Sequence, residues 1–161
     1  GSGLVGSEMC IRDSPFVAVR QFWRLWGPLV QCMPMAKRKC GKPAKAEQAQ
    51  KIFELVNNSE IEGFIAVHSI PNLFYILRKS MDSTSLRLFL LGLCNLLTVV
   101  CIDETMIISG LQNISFSDFE DCLQSECAEK AGAKYIITRN TKDFVYSSIP
   151  AITPNDFFNQ L

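Results

Sequence analysis

The sequence predicts an α/β domain with a three-layer α/β/α sandwich, in which helices cover both faces of a central, mainly parallel sheet. Short apolar segments alternate with longer amphipathic ones from residue 44 onward, and strands separated by helices indicate parallel pairing. Of the 161 residues, 48% are apolar, which suffices for the core of one domain. No apolar run reaches the roughly 18 residues that a membrane span needs.

The elements follow one another in regular alternation. The predicted helices lie at residues 44–58, 71–80, 83–96, 104–112, 118–131 and from 154 onward. The predicted strands lie at residues 63–67, 98–102, 134–138 and 149–152. Pro71 suits a first helical turn, where its missing donor has no partner in any case, and Asp103 suits an N-cap. The helix at 83–96 is apolar almost all round, so we expect it to be buried.

The distribution of charge along the chain and the cysteine content limit the kinds of site that the protein could carry. Residues 1–46 hold eight Lys/Arg and two Asp/Glu, a net charge of +6, whereas residues 47–161 hold eight and fourteen, a net charge of −6. An acidic C-terminal part suits a metal site better than a general phosphate-binding face. The seven cysteines form no CxxC pair, so neither a disulfide framework nor a zinc site is indicated. Reduced thiols in a cytoplasm are the simplest interpretation.

Acidic and amide side chains are concentrated in the segment FSDFEDCLQSECAEKAGAKYIITRNTKDF, residues 116–144. Asp118, Glu120 and Asp121 open a predicted helix, and Asn140 and Asp143 follow a predicted strand. Ligands of parallel sheets bind in the crevice outside the carboxyl ends of the strands. Oxygen ligands that converge there suit a hard divalent cation such as magnesium.

Most of these residues also have a structural interpretation. Ser117 and Glu120 match a capping box, which we favour for Glu120. Asp118 gains from the helix dipole whatever else it does. Asp143 is as well explained by a turn as by a metal ligand, and for Arg139 a surface salt bridge is as plausible as a phosphate contact.

The segment from about Glu47 to Phe158 resembles a bacterial PIN domain of the kind found in toxin–antitoxin systems. The resemblance is carried, in the family's order, by KIFELVNNSEIEGFIAVHSIPNLFYILRK, DFEDCLQ, GAKYIITRNTKDF and SSIPAITPNDFF. It implies a ribonuclease toxin that hydrolyses RNA with water activated by Mg²⁺ or Mn²⁺. It also implies a cognate antitoxin protein as partner, and a homodimer is an open alternative.

The resemblance also implies roles for individual residues. It places a catalytic acid at Asp121, and Asp143 and Asp118 complete the predicted catalytic set. The same three residues and Asn140 are the predicted metal ligands, while Arg139 and Asn72 are predicted to contact the substrate. Asn72 and Asn140 stand where many relatives carry acids. They offer neutral oxygen ligands without charge, so the predicted site is short of carboxylates.

The first 43 residues do not fit the resemblance. A PIN domain begins with an apolar strand that ends in a catalytic Asp, but Asp13 precedes the apolar run at 16–19, and the other candidate strand, 28–33, is followed by no acid. The opening GSGLVGSEMCIRDS resembles translated sequencing-adapter DNA. We therefore expect residues 1–43 to be an atypical, poorly ordered segment of artefactual or frameshifted origin, and residues 44–161 to be the domain.

Three hypotheses for function follow. The first is a PIN-type ribonuclease toxin, impaired because the first-strand Asp is lacking. The second is a non-catalytic binding module on the same fold, and the third is a defective reading frame without function. The missing Asp separates the first hypothesis from the other two.

Overall fold

The computed structural model describes residues 16–19 and 43–161 of the protein. Within these residues the strands form one five-stranded parallel sheet in the order β3-β2-β1-β4-β5. The strands are β1 (Phe16–Val19), β2 (Glu62–Ala66), β3 (Thr98–Val100), β4 (Tyr135–Ile137) and β5 (Ala151–Ile152).

Helices connect the strands, as the alternating pattern predicts. They are α1 (Pro43–Asn57), α2 (Ser69–Leu77), α3 (Ser83–Leu96), α4 (Glu104–Gln112), α5 (Phe119–Lys130), a 3-10 helix (Thr141–Phe144) and α6 (Pro154–Phe158). Helices mixed with parallel strands confirm the predicted α/β class. In the part of the chain that the structure describes, no helix is long and apolar enough to cross a bilayer.

The apolar core lies on both faces of the sheet because successive residues of a strand point to opposite sides. On β2, Ile65 packs with residues of α1, α2 and α3, whereas its neighbours Phe64 and Ala66 pack with Met106 of α4 and Cys127 of α5. On β4, Ile137 and Ile136 divide in the same way. One layer of helices therefore covers each face, which gives the three layers.

The middle strand comes from the segment that we expected to lie outside the domain. Phe16–Val19 pairs with β2 on one side and with β4 on the other, so that Ala18 lies opposite both Phe64 and Ile136. The alternative strand at 28–33 lies outside the described residues. The division of the chain at residue 43 stays a prediction, but this short apolar run contributes the strand that joins the two halves of the sheet.

Helix α3 departs from the prediction that it is buried all round. Leu86, Phe89 and Leu90 are buried on one side, while Leu88 and Leu91 are 66% and 60% exposed. The sequence of α3 is apolar almost all round, but only one side of the helix is buried. The exposed leucines leave an apolar surface on the outside of the domain.

Asp103 caps α4, as predicted, and also anchors the end of α5. Its carboxylate accepts hydrogen bonds from the amide of Met106 at 3.0 Å and from the ammonium of Lys130 at 2.8 Å. The Lys130 ammonium, helped by the Thr105 hydroxyl and the Met106 amide, holds the pKa of Asp103 well below its usual value of 3.8. The charged form of this carboxyl is therefore favoured by folding.

We expect the acid sensitivity of the fold to depend in part on Asp103. Because its pKa is lowered in the folded state, its stabilising effect is fully present above the usual value and is lost as the pH falls below it. Asp103→Asn should therefore flatten the acid limb of a plot of thermal midpoint against pH. The exposed neighbour Glu104, changed to Gln, is the matched control. An acid limb equally steep in the wild type and in Asp103→Asn would contradict the assignment.

The position of β1 gives a second expectation. A strand with neighbours on both sides uses its amide donors in the ladder, and proline has none. Ala18→Pro should destabilise the domain by more than about 2 kcal/mol, measured by urea unfolding, whereas Ala18→Ser keeps the donor and should have a small effect. Equal stability of the two variants would show that Phe16–Val19 is dispensable to the sheet.

Candidate functional site

The predicted site residues gather at the carboxyl edge of the sheet, around helix α5. The start of α2 follows β2, and the 3-10 helix follows β4. Since the two strands are parallel to β1, these connections leave the same edge. Helix α5 contacts β2, β4 and the 3-10 helix. It therefore spans the space between the two strand ends.

Helix α5 begins one residue later than the predicted capping box requires. Asp118, in an extended conformation, is the N-cap, and its carboxylate accepts a hydrogen bond from the amide of Glu120 at 2.8 Å. The prediction that Ser117 is the cap and that Glu120 reaches back to it was wrong, because Asp118 supplies the capping oxygen itself. This contact satisfies a free amide of the first turn. A role for Asp118 as a metal ligand or catalytic acid stays a prediction.

Glu120 instead reaches across to the first turns of α2. The side-chain amide of Asn72 donates a hydrogen bond to the Glu120 carboxylate at 3.0 Å, and both side chains are exposed. The starts of α2 and α5 are thus joined at the surface. A carboxylate from α5 stands beside the amide at position 72.

Asp121 lies inside this junction and is only 2% exposed. Gln124 and Ser125 follow on the same side of the helix and are also buried. The amide of Gln124 donates to the Ser69 hydroxyl at 2.7 Å, and its nitrogen lies 3.0 Å from Nε2 of His68. Helix α5 therefore buries a polar strip alongside the apolar side chains of Cys122, Leu123, Cys127 and Ala128, whereas the helix of an α/β fold ordinarily buries apolar side chains.

The segment after β4 forms the other wall of the site. Thr138 is fully buried, and its hydroxyl accepts a hydrogen bond from the amide of Asn140 at 3.1 Å. The side-chain amide of Asn140 donates to the carboxylate of Asp143, so the structure brings these two predicted ligands together. Arg139 is half-buried, and burial lowers the pKa of its guanidinium.

The donor set that the structure describes does not fit a divalent metal ion. Within residues 16–19 and 43–161, no group of three or more His, Cys, Asp or Glu side chains is placed to hold one. Asp118 serves as a helix cap, and the Asp143 carboxylate accepts from Asn140. In the sequence, the residue after β1 is Arg20, so this strand is not followed by an acid. A small, strongly hydrated cation needs more negative charge than these groups supply.

Sequence reasoning missed three residues of this site, namely Gln124, Ser125 and Thr138. A signal for the first two was present, because polar residues three and four positions after Asp121 fall on its side of the helix. Their burial depended on which side of α5 faces the sheet. Thr138 was included in the predicted strand, but nothing in the sequence distinguished it from an ordinary strand residue.

The observed cap predicts a specific pattern of stability. Asp118→Ala should lower the free energy of unfolding by about 1 kcal/mol, since it removes the oxygen that caps α5. Ser117→Ala should have little effect, and it serves as the matched control in a chemical unfolding experiment. If Ser117→Ala were the more damaging of the two, the capping box predicted from the sequence would be correct after all.

The chain matches a known protein family. A family model described as PIN domain matches residues 40–142, which is more than half of the chain. The matched range contains α2, α5, β4 and all the site residues except Asp143. Proteins of this family are generally nucleases that depend on divalent metals. No curated protein matches the chain.

Proposed function

The chain belongs to the PIN-domain family, and from that premise we propose that it is a ribonuclease-type toxin of a toxin–antitoxin pair whose hydrolytic activity is impaired. Members of the family bind RNA and often antitoxins. The substrate would lie at the carboxyl edge of the sheet, between the start of α2, the start of α5 and the segment after β4.

One observation carries this proposal. Among the described residues, the buried polar or charged side chains are Asp121, Gln124, Ser125 and Thr138, and all of them belong to α5 or to the end of β4. Burying polar groups is unfavourable unless they are hydrogen-bonded, so their concentration at one edge is unlike a core built for stability alone. Sites that carry chemistry are where such groups collect.

The roles of the residues follow from their places. Asp121 and Asp143 would supply the negative charge of the site, and Arg139 would contact a phosphate of the RNA. Asn72 lies at the rim, beside Glu120, and would contact the substrate from α2. Hydrolysis in this family generally depends on a divalent metal ion, which these side chains would hold poorly.

The proposed impairment has an electrostatic basis. Carboxylates offset the cost of removing water from a divalent ion better than neutral amides do. Amides stand at positions 72 and 140, and Arg20 follows β1. The same shortage favours a second candidate function, a binding module that uses the PIN fold without cleaving RNA.

Two further parts of the proposal concern partner and compartment. Tyr75 and Ile76 of α2 and Leu88 and Leu91 of α3 are exposed, and an antitoxin would cover apolar surface of this kind. The cysteines that the structure describes are free, and burial raises the pKa of Cys127 to about 11. Unbridged thiols support a cytoplasmic location.

The test is an RNA-binding and cleavage assay with the purified full chain. We expect single-stranded RNA to bind and cleavage with Mg²⁺ or Mn²⁺ to be weak, because the ion is poorly held. Any residual cleavage should disappear in Asp121→Asn and persist in Glu104→Gln, a change of an exposed acid on α4.

The outcomes separate the hypotheses. Strong metal-dependent cleavage that Asp121→Asn abolishes would refute the impairment and show that the remaining acids suffice. RNA binding without any cleavage would favour the binding module. A folded chain that neither binds nor cleaves RNA would refute the proposal.

A further inference from the structure

We propose that Gln124 and Ser125 are positioning residues that clamp α5 to the two walls of the site and so fix where the Asp121 carboxylate stands. The inference rests on the proposed function, since Asp121 and Asp143 are the acids of that site. Neither Gln124 nor Ser125 belongs to the predicted catalytic or ligand set, so their role lies in holding other groups in place.

Helical geometry makes the side chains of Asp121, Gln124 and Ser125 neighbours on the surface of α5. Residues three and four positions apart are neighbours on a helix surface, so Gln124 and Ser125 lie one turn beyond Asp121. They are 8% and 6% exposed. Buried polar side chains that are fully satisfied rigidify their surroundings, because an alternative arrangement would leave polar groups without partners in a medium of low dielectric constant.

Gln124 is the arm that reaches the wall formed by β2 and α2. Its amide donates to the hydroxyl of Ser69, the first residue of α2, at 2.7 Å and lies 3.0 Å from the ring nitrogen of His68. His68 is the N-cap of α2 and Ser69 is its first residue, so both partners lie at the start of this helix, shortly after β2. This arm therefore sets the distance between α5 and the carboxyl end of β2.

Ser125 is the arm that reaches the opposite wall. Its hydroxyl donates to the Ser147 hydroxyl at 2.7 Å, which in turn accepts from the amide of Ile149 at 3.1 Å. The amide of Ser147 donates to the carbonyl of Phe144 at 3.0 Å. Since Phe144 is the residue after Asp143 and is buried, a short series of hydrogen bonds connects α5 to the 3-10 helix that carries Asp143.

The two arms leave α5 from adjacent residues and reach the segments that follow β2 and β4, the strands on either side of β1. A shift of α5 toward one wall would stretch the contact with the other, so the helix has one position in which both are made. Active groups have to be held to within a fraction of an ångström, and supporting hydrogen bonds provide that precision. The loop at 145–149 has no regular structure of its own. Its polar attachments to α5 are the Ser147 contact with Ser125 and a hydrogen bond that the Ser148 hydroxyl donates to Glu129 at 2.9 Å.

Amide hydrogen exchange on the full chain tests the Ser125 arm. Ser125→Ala should accelerate exchange at residues 143–149 by about fivefold, the factor that corresponds to losing one hydrogen bond. Exchange at residues 69–72 should not change. Ser125→Thr keeps the hydroxyl and should restore the slow exchange. Ser109→Ala is the matched control. It removes a hydrogen bond of 3.0 Å that the Ser109 hydroxyl of α4 donates to Glu126 of α5, the helix that also carries Ser125.

For the Gln124 arm we expect the opposite pattern of amide exchange. Gln124→Leu, which keeps the approximate volume but removes the amide, should accelerate exchange at residues 69–72 and leave residues 143–149 unchanged. Each single variant should also weaken binding of a single-stranded RNA oligonucleotide by about fivefold, measured by fluorescence anisotropy, while Ser109→Ala binds like the wild type.

The possible results are distinguishable. If exchange in the two walls responds equally to Ser125→Ala, to Gln124→Leu and to Ser109→Ala, the effect is general destabilisation and the clamp is refuted. If the exchange pattern is as expected but RNA affinity is unchanged, the two residues are structural only and the positioning role is refuted. If the wild type binds no RNA while the exchange pattern is as expected, the proposed function fails but the clamp of α5 stands.

Discussion

The burial of a polar helix side against the carboxyl edge of a parallel sheet is the constraint on which the rest of this structure depends. Asp121, Gln124 and Ser125 have left water, and buried polar groups are tolerated only with partners. Gln124 and Ser125 have theirs in the connections that follow β2 and β4. The same requirement therefore links the position of α5 to the start of α2 and to the path of the chain after Asp143.

The second factor is the charge of the site, which disfavours the metal-dependent nuclease chemistry that is general in this family. A metal-dependent nuclease concentrates carboxylates so that a divalent ion is held despite its strong hydration. Here Asp118 is used as a helix cap, the Asp143 carboxylate accepts from Asn140, and Asn72 contacts Glu120. Hydrogen bonds from neutral amides occupy these carboxylates, so fewer of their oxygens are available to coordinate a cation.

The middle of the sheet shows how a fold accommodates an atypical segment. Four residues, Phe16–Val19, separate β2 from β4 and pair with both. A short apolar run meets the main requirement of a central strand, which is to pair on both sides. The residue that follows it is Arg20, so no carboxylate stands directly after this strand. Pairing depends on backbone and apolar character, whereas catalysis depends on one side chain at the strand's end.

By itself the sequence determined the α/β class, the order of the elements from α1 onward and the cap at Asp103, because periodicity and local hydrogen bonding act over a few residues. It also predicted a site in the segment 116–144. Only the tertiary structure decided what depends on distant neighbours. It placed Phe16–Val19 at the centre of the sheet, exposed Leu88 and Leu91 of α3, and paired Glu120 with Asn72. Local propensity carries no information about which side of a helix meets the sheet. The buried roles of Gln124, Ser125 and Thr138 therefore became visible only once α5 and β4 had their neighbours.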